Sequence, residues 1–391
     1  LKKRKIKVFV DGEVLVLSHF SGIGHYTAAL LKAVDELLFD DKYSHITFEI
    51  GVPWRMIHNI GRFNFQNMAI RRMYTTPRVS NGLKKRGIQP PLDIFYGRRV
   101  YVFPNYSSWP LLYSKGVPII YDASFILFPE HSDDENRIFL TSQTQKSADR
   151  SSRVITISEN SKREITQYFN VSSDKIDVVY PVLDTDRFYR RSNSEVARIK
   201  AKYGIFGDYI LYVGNLEPRK NLVGLLEAYG KLDKKIRDRY SLLLIGAKGW
   251  KDSEINDLMI DMRMGGAKII QPTDYVHDKD LPALFSGAAV FAYVSVYEGF
   301  GIPPTESMAC GTAVVSTYNS SLLEAVGDAA EKVVADDIDG IAKAIEKLLK
   351  NPDHREKLIK KGYEQVRSFN TKDIALTFLG SIEKASNENS N

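Results

Sequence analysis

Cysteine is all but absent. Cys310 stands alone among 391 residues, which excludes a disulfide within the chain and suits a reducing compartment. Set in "SMACG", it reads as a small packing residue rather than a nucleophile. Long hydrophobic runs are lacking as well. The longest are of strand length, far short of the ~20 residues needed to span a bilayer. The basic start "LKKRKIKVFVDG" has no apolar signal core and reads as an ordered first strand. Low-complexity sequence is confined to the polar tail "SNENSN". What remains is a globular chain, soluble or peripheral, expected in the cytoplasm or at the inner face of the membrane. At ~150 residues per domain, its length allows two or three domains.

Acidic residues are scarce in one region. Residues 51–100 hold ten Lys and Arg and a single acid, Asp93. Residues 1–180 carry 25 basic residues against 18 acidic, whereas 181–391 carry 29 against 30. The basic segment also interleaves Trp54, Met56, Phe63, Phe65, Met68 and Tyr74. That mixture suits an anionic membrane surface, with Arg71, Arg72, Lys84, Lys85 and Arg86 as contacts. It equally suits nucleic acid or a solvated helical face. The membrane is the partner carried forward, and nucleic acid is not expected.

Elsewhere, apolar strand-length runs alternate with amphipathic helical stretches, the pattern of parallel α/β sheets. "IKVFVDG", "ITFEIGV", "VYVFPN", "VPIIYDAS" and "SRVITIS" read as strands of a first half. "GIGHYTAALLKAVDELL" is a helix after the first of them and "SENSKREITQYFN" a helix after the last, with a serine cap. After residue 180 the pattern restarts with "YILYVGNL", "KNLVGLLEAYGKL" and "YSLLLIGA". The expected architecture is α/β: two doubly wound Rossmann-like domains facing across a cleft.

The densest chemistry lies in "YEGFGIPPTESMACG" (297–311). The run "AAVFAYVS" before it reads as a buried strand, and Gly299 and Gly301 permit a sharp turn close to a ligand. Pro303 and Pro304 suit the first turn of a helix, so Glu298 ends a strand and Glu306 is expected to face outward from that helix. A helix N-terminus between two carboxylates suits a phosphate flanked by hydroxyls, as in a nucleotide-sugar. In "YVGNLEPRKNLVGLL", Gly214 ends another strand, and Arg219 and Lys220 follow as cations able to clamp a diphosphate. "SGIGHYT" offers Gly22 and Gly24 between a strand and a helix, an incomplete dinucleotide fingerprint that still supports a backbone-amide anion site. Asp184-x-Asp186 looks like a metal pair, but its place between the halves favours a hinge turn, and no metal is expected.

"GIGHYTAALL", "YVGNLEPRKNL", "YEGFGIPPTESMACGTAVV" and "SSLLEAVGDAA" together resemble family-4 retaining glycosyltransferases of the two-Rossmann GT-B fold. The resemblance covers nearly the whole chain and is strongest over 209–330. It implies an acceptor-binding domain, 1–186, with the helix 371–388 packing back on it, and a donor-binding domain, 187–370. Glu298 would contact the donor sugar, Glu306 the ribose, and Gly299, Phe300 and Gly301 the sugar or diphosphate. Arg219 and Lys220 would neutralise the leaving group beside Gly214, and Gly22 and Gly24 would approach from the other domain. Tyr275 and Val276 fall where such enzymes meet the nucleobase. The family's His-Asp pair is here Tyr121-Asp122, which are expected to line the site, with His131 and His25 as alternatives to Tyr121. The implied partners are a nucleotide-sugar, GDP-mannose before a UDP-sugar, and a saccharide or lipid-linked acceptor. No cofactor is implied, and a nucleotide-sugar epimerase of the same fold is the rival reading.

Overall fold

The computed structural model describes residues 4–17, 22–73, 82, 90–131, 134–247, 249 and 252–388. The chain divides into two compact units, 1–182 with 369–391, and 183–368. Lys84, Lys85 and Arg86 lie outside the described residues.

The first unit is built on a parallel sheet of β1 (Ile6–Asp11), β2 (Ile46–Pro53), β3 (Met68–Met73), β4 (Val100–Phe103) and β5 (Gly116–Pro118). Its order is β3-β2-β1-β4-β5, so the strand order reverses between β1 and β4. Two more parallel strands, β6 (Val154–Thr156) and β7 (Ile176–Val178), continue it through single bridges from Gly116 to Ser151 and Ile119 to Ile155. Helix α1 (Gly22–Leu37) follows β1 and buries Leu30, Leu31 and Val34. The helix Thr371–Glu388 returns to this unit, packing on α1, with Phe378 against Phe48 and Lys384 paired to Asp177.

Strand β3 corrects one expectation. Part of the basic segment is not a solvated helical face but the edge strand of a sheet, with Arg71 and Arg72 exposed between the buried Met68 and Met73. Charge on an edge strand blocks pairing with another chain, and a strand so polar at its centre carries little of the alternation that marks strands in sequence.

The second unit has six parallel strands in the order β10-β9-β8-β11-β12-β13. They are β8 (Asp208–Val213), β9 (Tyr240–Ile245), β10 (Ile269–Ile270), β11 (Val290–Tyr293), β12 (Val314–Thr317) and β13 (Ala330–Val333). All six residues of β9 and all four of β11 are buried, as a sheet covered on both faces requires. Here the order reverses between β8 and β11. In open α/β sheets ligands bind beyond the carboxyl ends of strands at such a reversal. The segments leaving β8 and β11 carry the two motifs singled out from sequence.

Candidate active site

After β8 the chain passes Gly214 and Glu217, makes a tight turn over Pro218–Lys220, and enters the helix Leu222–Lys231. Asn221 makes that corner in the left-handed region, at φ 55°. Its side-chain amide donates to the carbonyls of Val294 (3.1 Å) and Ala335 (2.6 Å). The Val296 N–H donates to the Arg219 carbonyl at 2.9 Å. The loop after β8 is thereby fastened to the loop after β11, and Arg219 and Lys220 are brought to Glu298.

The three side chains form one ion-pair cluster. Lys220 Nζ donates to Glu298 Oε1 at 2.6 Å and to the Tyr293 hydroxyl at 3.1 Å. Arg219 donates to Glu298 Oε2 at 3.2 Å, to the Tyr297 carbonyl at 2.7 Å and to Glu217 at 3.0 Å. The Tyr293 hydroxyl donates to Glu298 Oε1 at 2.8 Å. Glu298 and Lys220 are both buried. Burial alone would raise the Glu298 pKa, but Lys220 and Arg219 beside it hold it down at about 2. Burial pushes the Lys220 pKa below its ordinary value, with Glu298 opposing. A carboxylate expected to face a sugar thus also joins Glu217 in neutralising the two cations expected to face the diphosphate. Sequence spacing did not reveal this pairing, because 78 residues separate Lys220 from Glu298.

Beyond Glu298, Gly301 adopts φ 111°, and a Cβ there would lie 2.6 Å from Leu322. Only glycine fits. The helix Ile302–Ala309 starts next, with its prolines in the first turn as expected. Pro303 and Pro304 carry no N–H, so two of the first three helical donors are missing. Any anion site here therefore depends on the backbone of Gly299, Phe300, Gly301 and Ile302 and on the helix dipole.

Glu306 does not face outward. Its side chain is only 14% exposed and lies 3.9 Å from Arg187. Burial, helped by Asp278 and Asp184 and opposed by Arg187, raises its pKa from 4.5 to about 8. The acids come from distant points of the chain, which is why its environment was not legible locally. Tyr275 is exposed and edge-on to His277, in the segment leading to Asp278, while Val276 is buried. Asp184 accepts the Arg187 N–H at 3.2 Å and closes a turn. Among the described residues, no three His, Cys, Asp or Glu gather as a metal site. Arg187, Asp278 and Tyr293 are the site residues that sequence reasoning missed.

The candidates in the first unit have partners of their own. The Tyr121 hydroxyl donates to the Pro104 carbonyl at 3.1 Å, and its ring packs buried between Tyr26 and Tyr106. Burial raises its pKa, keeping the phenol neutral. Asp122 accepts from the Ser124 N–H (3.0 Å), the Ser124 hydroxyl (2.7 Å) and the Tyr106 hydroxyl (3.2 Å). Both have local structural partners. Gly22 opens α1 with no positive φ and no neighbour within 4 Å of an added Cβ, so local geometry does not demand glycine there. Gly24 is buried on the same helix.

Two parallel, doubly wound sheets, the second with charged loops at its strand reversal, make an α/β protein of the GT-B class. Solved structures share this fold. A sucrose-phosphate synthase from Thermosynechococcus elongatus matches 96% of the chain at TM-score 0.71 and 16% identity, covering 97% of that structure. Anabaena HepE with UDP-glucose matches 97% at TM-score 0.69 and 14% identity, covering 99% of that structure. The family model "Glycosyl transferases group 1" matches residues 196–365. O-antigen chain mannosyltransferase B of Escherichia coli is 34% identical over 275 residues, 70% of this chain and 71% of that protein. O-antigen chain mannosyltransferase RfbU of Salmonella typhimurium is 25% identical over 270 residues, 66% and 68% of the two chains. The chain belongs to the group 1 glycosyl transferases.

Proposed function

We propose that the protein transfers mannose from GDP-mannose, with retention and without a metal, to a saccharide or lipid-linked acceptor in surface-polysaccharide assembly. The mannosyl reading is supported by the names of its relatives, O-antigen chain mannosyltransferases at 34% and 25% identity. No relative named above is an epimerase. The donor domain is 183–368, and the acceptor domain is 1–182 with 369–391. A UDP-sugar is the second donor candidate.

The observation that carries the reaction is the Arg219–Lys220–Glu298 cluster at the strand reversal. In a retaining transfer the bond from the sugar C1 to the diphosphate oxygen breaks, and its electron pair leaves with the phosphate. The acceptor oxygen then bonds to C1 from the same face and gives its proton to the departing phosphate. Negative charge therefore grows on the diphosphate while the sugar becomes oxocarbenium-like. Two preorganised cations stabilise that charge without reorganising at the moment of reaction. Before donor binds, Glu298 and Glu217 balance them; a diphosphate would share them, leaving Glu298 to accept from sugar hydroxyls. Glu306, with Arg187 beside it, would accept from the ribose.

The test uses the full chain with GDP-mannose, UDP-glucose and a synthetic mannoside on an alkyl aglycone. GDP-mannose at 100-fold its dissociation constant should stabilise by ~2.7 kcal/mol, seen as a higher melting temperature. GDP release should require the mannoside, and proton NMR should show an α-linked product. Stabilisation by UDP but not GDP would overturn the donor assignment. Sugar interconversion without acceptor would overturn transfer itself.

A further inference from the structure

Between Glu49 and Asp122 the sequence contains one acid, Asp93. The structure removes that acid from the surface. Asp93 is buried, and its carboxylate accepts the N–H groups of Leu112 (2.8 Å), Tyr113 (2.6 Å) and Ser114 (2.9 Å). The described surface contributed by residues 51–121 is left with no exposed carboxylate. It does carry exposed Arg71, Arg72, Arg98 and Lys115, while Arg99 is paired to Glu49 at 2.7 Å.

The same hydrogen bonds assemble an apolar prominence. Asp93 belongs to the short helix Leu92–Tyr96, whose outward residues Ile94 and Phe95 are 54% and 64% exposed. The loop tied to Asp93 presents Leu112 and Tyr113, 57% and 56% exposed. The Leu92 N–H donates to the Pro110 carbonyl at 2.9 Å, a further fastening of helix to loop. Edge strand β3 adjoins through the Tyr96 hydroxyl, which donates to the Arg72 carbonyl at 3.2 Å. Four large apolar side chains thus stand out from a segment whose described exposed charges are all basic.

We propose that this face seats the protein on an anionic lipid bilayer. Ile94, Phe95, Leu112 and Tyr113 enter the boundary between headgroups and acyl chains, and the arginines and Lys115 meet the headgroup phosphates. Apolar prominences supply hydrophobic burial, and basic residues add attraction specific to anionic lipid. Charge also selects this occupant over a second copy of the chain, since a face-to-face pair would oppose arginine to arginine.

Sedimentation of the full chain with phosphatidylglycerol and phosphatidylcholine vesicles, at low and high salt, tests the assignment. Binding should need phosphatidylglycerol and weaken with salt. The double variant Phe95→Ser, Leu112→Ser should partition at least about tenfold less, because each side chain contributes burial that serine cannot. Arg71→Ser with Arg98→Ser should lose anionic selectivity. GDP binding should stay unchanged in both variants, which separates loss of docking from loss of fold. Native-like vesicle binding by Phe95→Ser, Leu112→Ser would overturn the proposal. So would equal binding to phosphatidylcholine, or a native dimer that this variant converts to monomer without any vesicle binding.

Discussion

Replacing Glu306 by glutamine should stabilise the protein while weakening its hold on nucleotide. Burial, with Asp278 and Asp184 nearby, raises the carboxyl pKa from 4.5 to about 8, despite Arg187 at 3.9 Å. The folded state therefore binds more protons than the unfolded state between those values, and stability falls as pH rises through that window. At pH 7 the ~2.5 pH units above the ordinary value, at about 1.4 kcal/mol each, amount to a penalty of roughly 3 kcal/mol. Glutamine fills the same space with no charge to desolvate, so Glu306→Gln should gain a stability of that order at pH 7 and little at pH 5. The assay is urea unfolding of both proteins at pH 5, 6, 7 and 8. Hydrogen exchange of the Ile302–Ala309 helix ensures that the transition reports the unit holding Glu306. A stability difference that stays constant from pH 5 to pH 8 would refute the reasoning. At pH 7 most Glu306 carboxyls carry a proton, so GDP binding to the variant, by calorimetry, should be weaker by roughly 0.5–1.5 kcal/mol, the worth of a neutral hydrogen bond.

Arg219→Ala should lower turnover by about 10²–10³-fold, as expected for removing one electrostatic partner of the transition state. Lys220→Ala should do the same and also cost roughly 3–5 kcal/mol of stability, because Glu298 loses its nearest cation while buried. Lys220→Ala with Glu298→Ala should regain melting temperature but not turnover; recovery of turnover would remove Lys220 from the chemistry. Tyr121→Phe gives up one neutral hydrogen bond to the Pro104 carbonyl, about 1 kcal/mol of stability. Its turnover should stay within about threefold of native, and a hundredfold loss would place the hydroxyl at the reacting centre.

The central strands were legible because burial on both faces leaves continuous apolar runs such as "YILYV" and "YSLLLI". The caps were legible too: Ser158 accepts from the Ser161 N–H, and the helix with Pro303 and Pro304 begins where proline is tolerated. β3 was not, because its middle residues face outward and two are arginines. Within the site, Arg219, Lys220, Glu298 and Glu306 could be picked out by type and spacing. What they touch could not, since Glu298 meets cations from the strand next in space, and Glu306 meets acids from two separate loops. Tyr121 is a further case of a hidden partner. Its position suited a site residue, and only the fold reveals that its hydroxyl donates to a carbonyl 17 residues earlier.

The return of the helix Thr371–Glu388 to the first unit has a consequence for synthesis. Unit 183–368 is one continuous stretch and can fold as soon as it clears the ribosome. The earlier unit cannot finish, because Ala375, Phe378, Leu379 and Ile382 fill its core, and Lys384 pairs with Asp177. The usual order, N-terminal domain first, is thus reversed. At ~5–20 residues per second the first 182 residues wait on the order of 10–40 s for the helix that covers them. Throughout that interval α1 and Phe48 lack their final cover, so the nascent first unit, not the finished enzyme, is the form most in need of a chaperone.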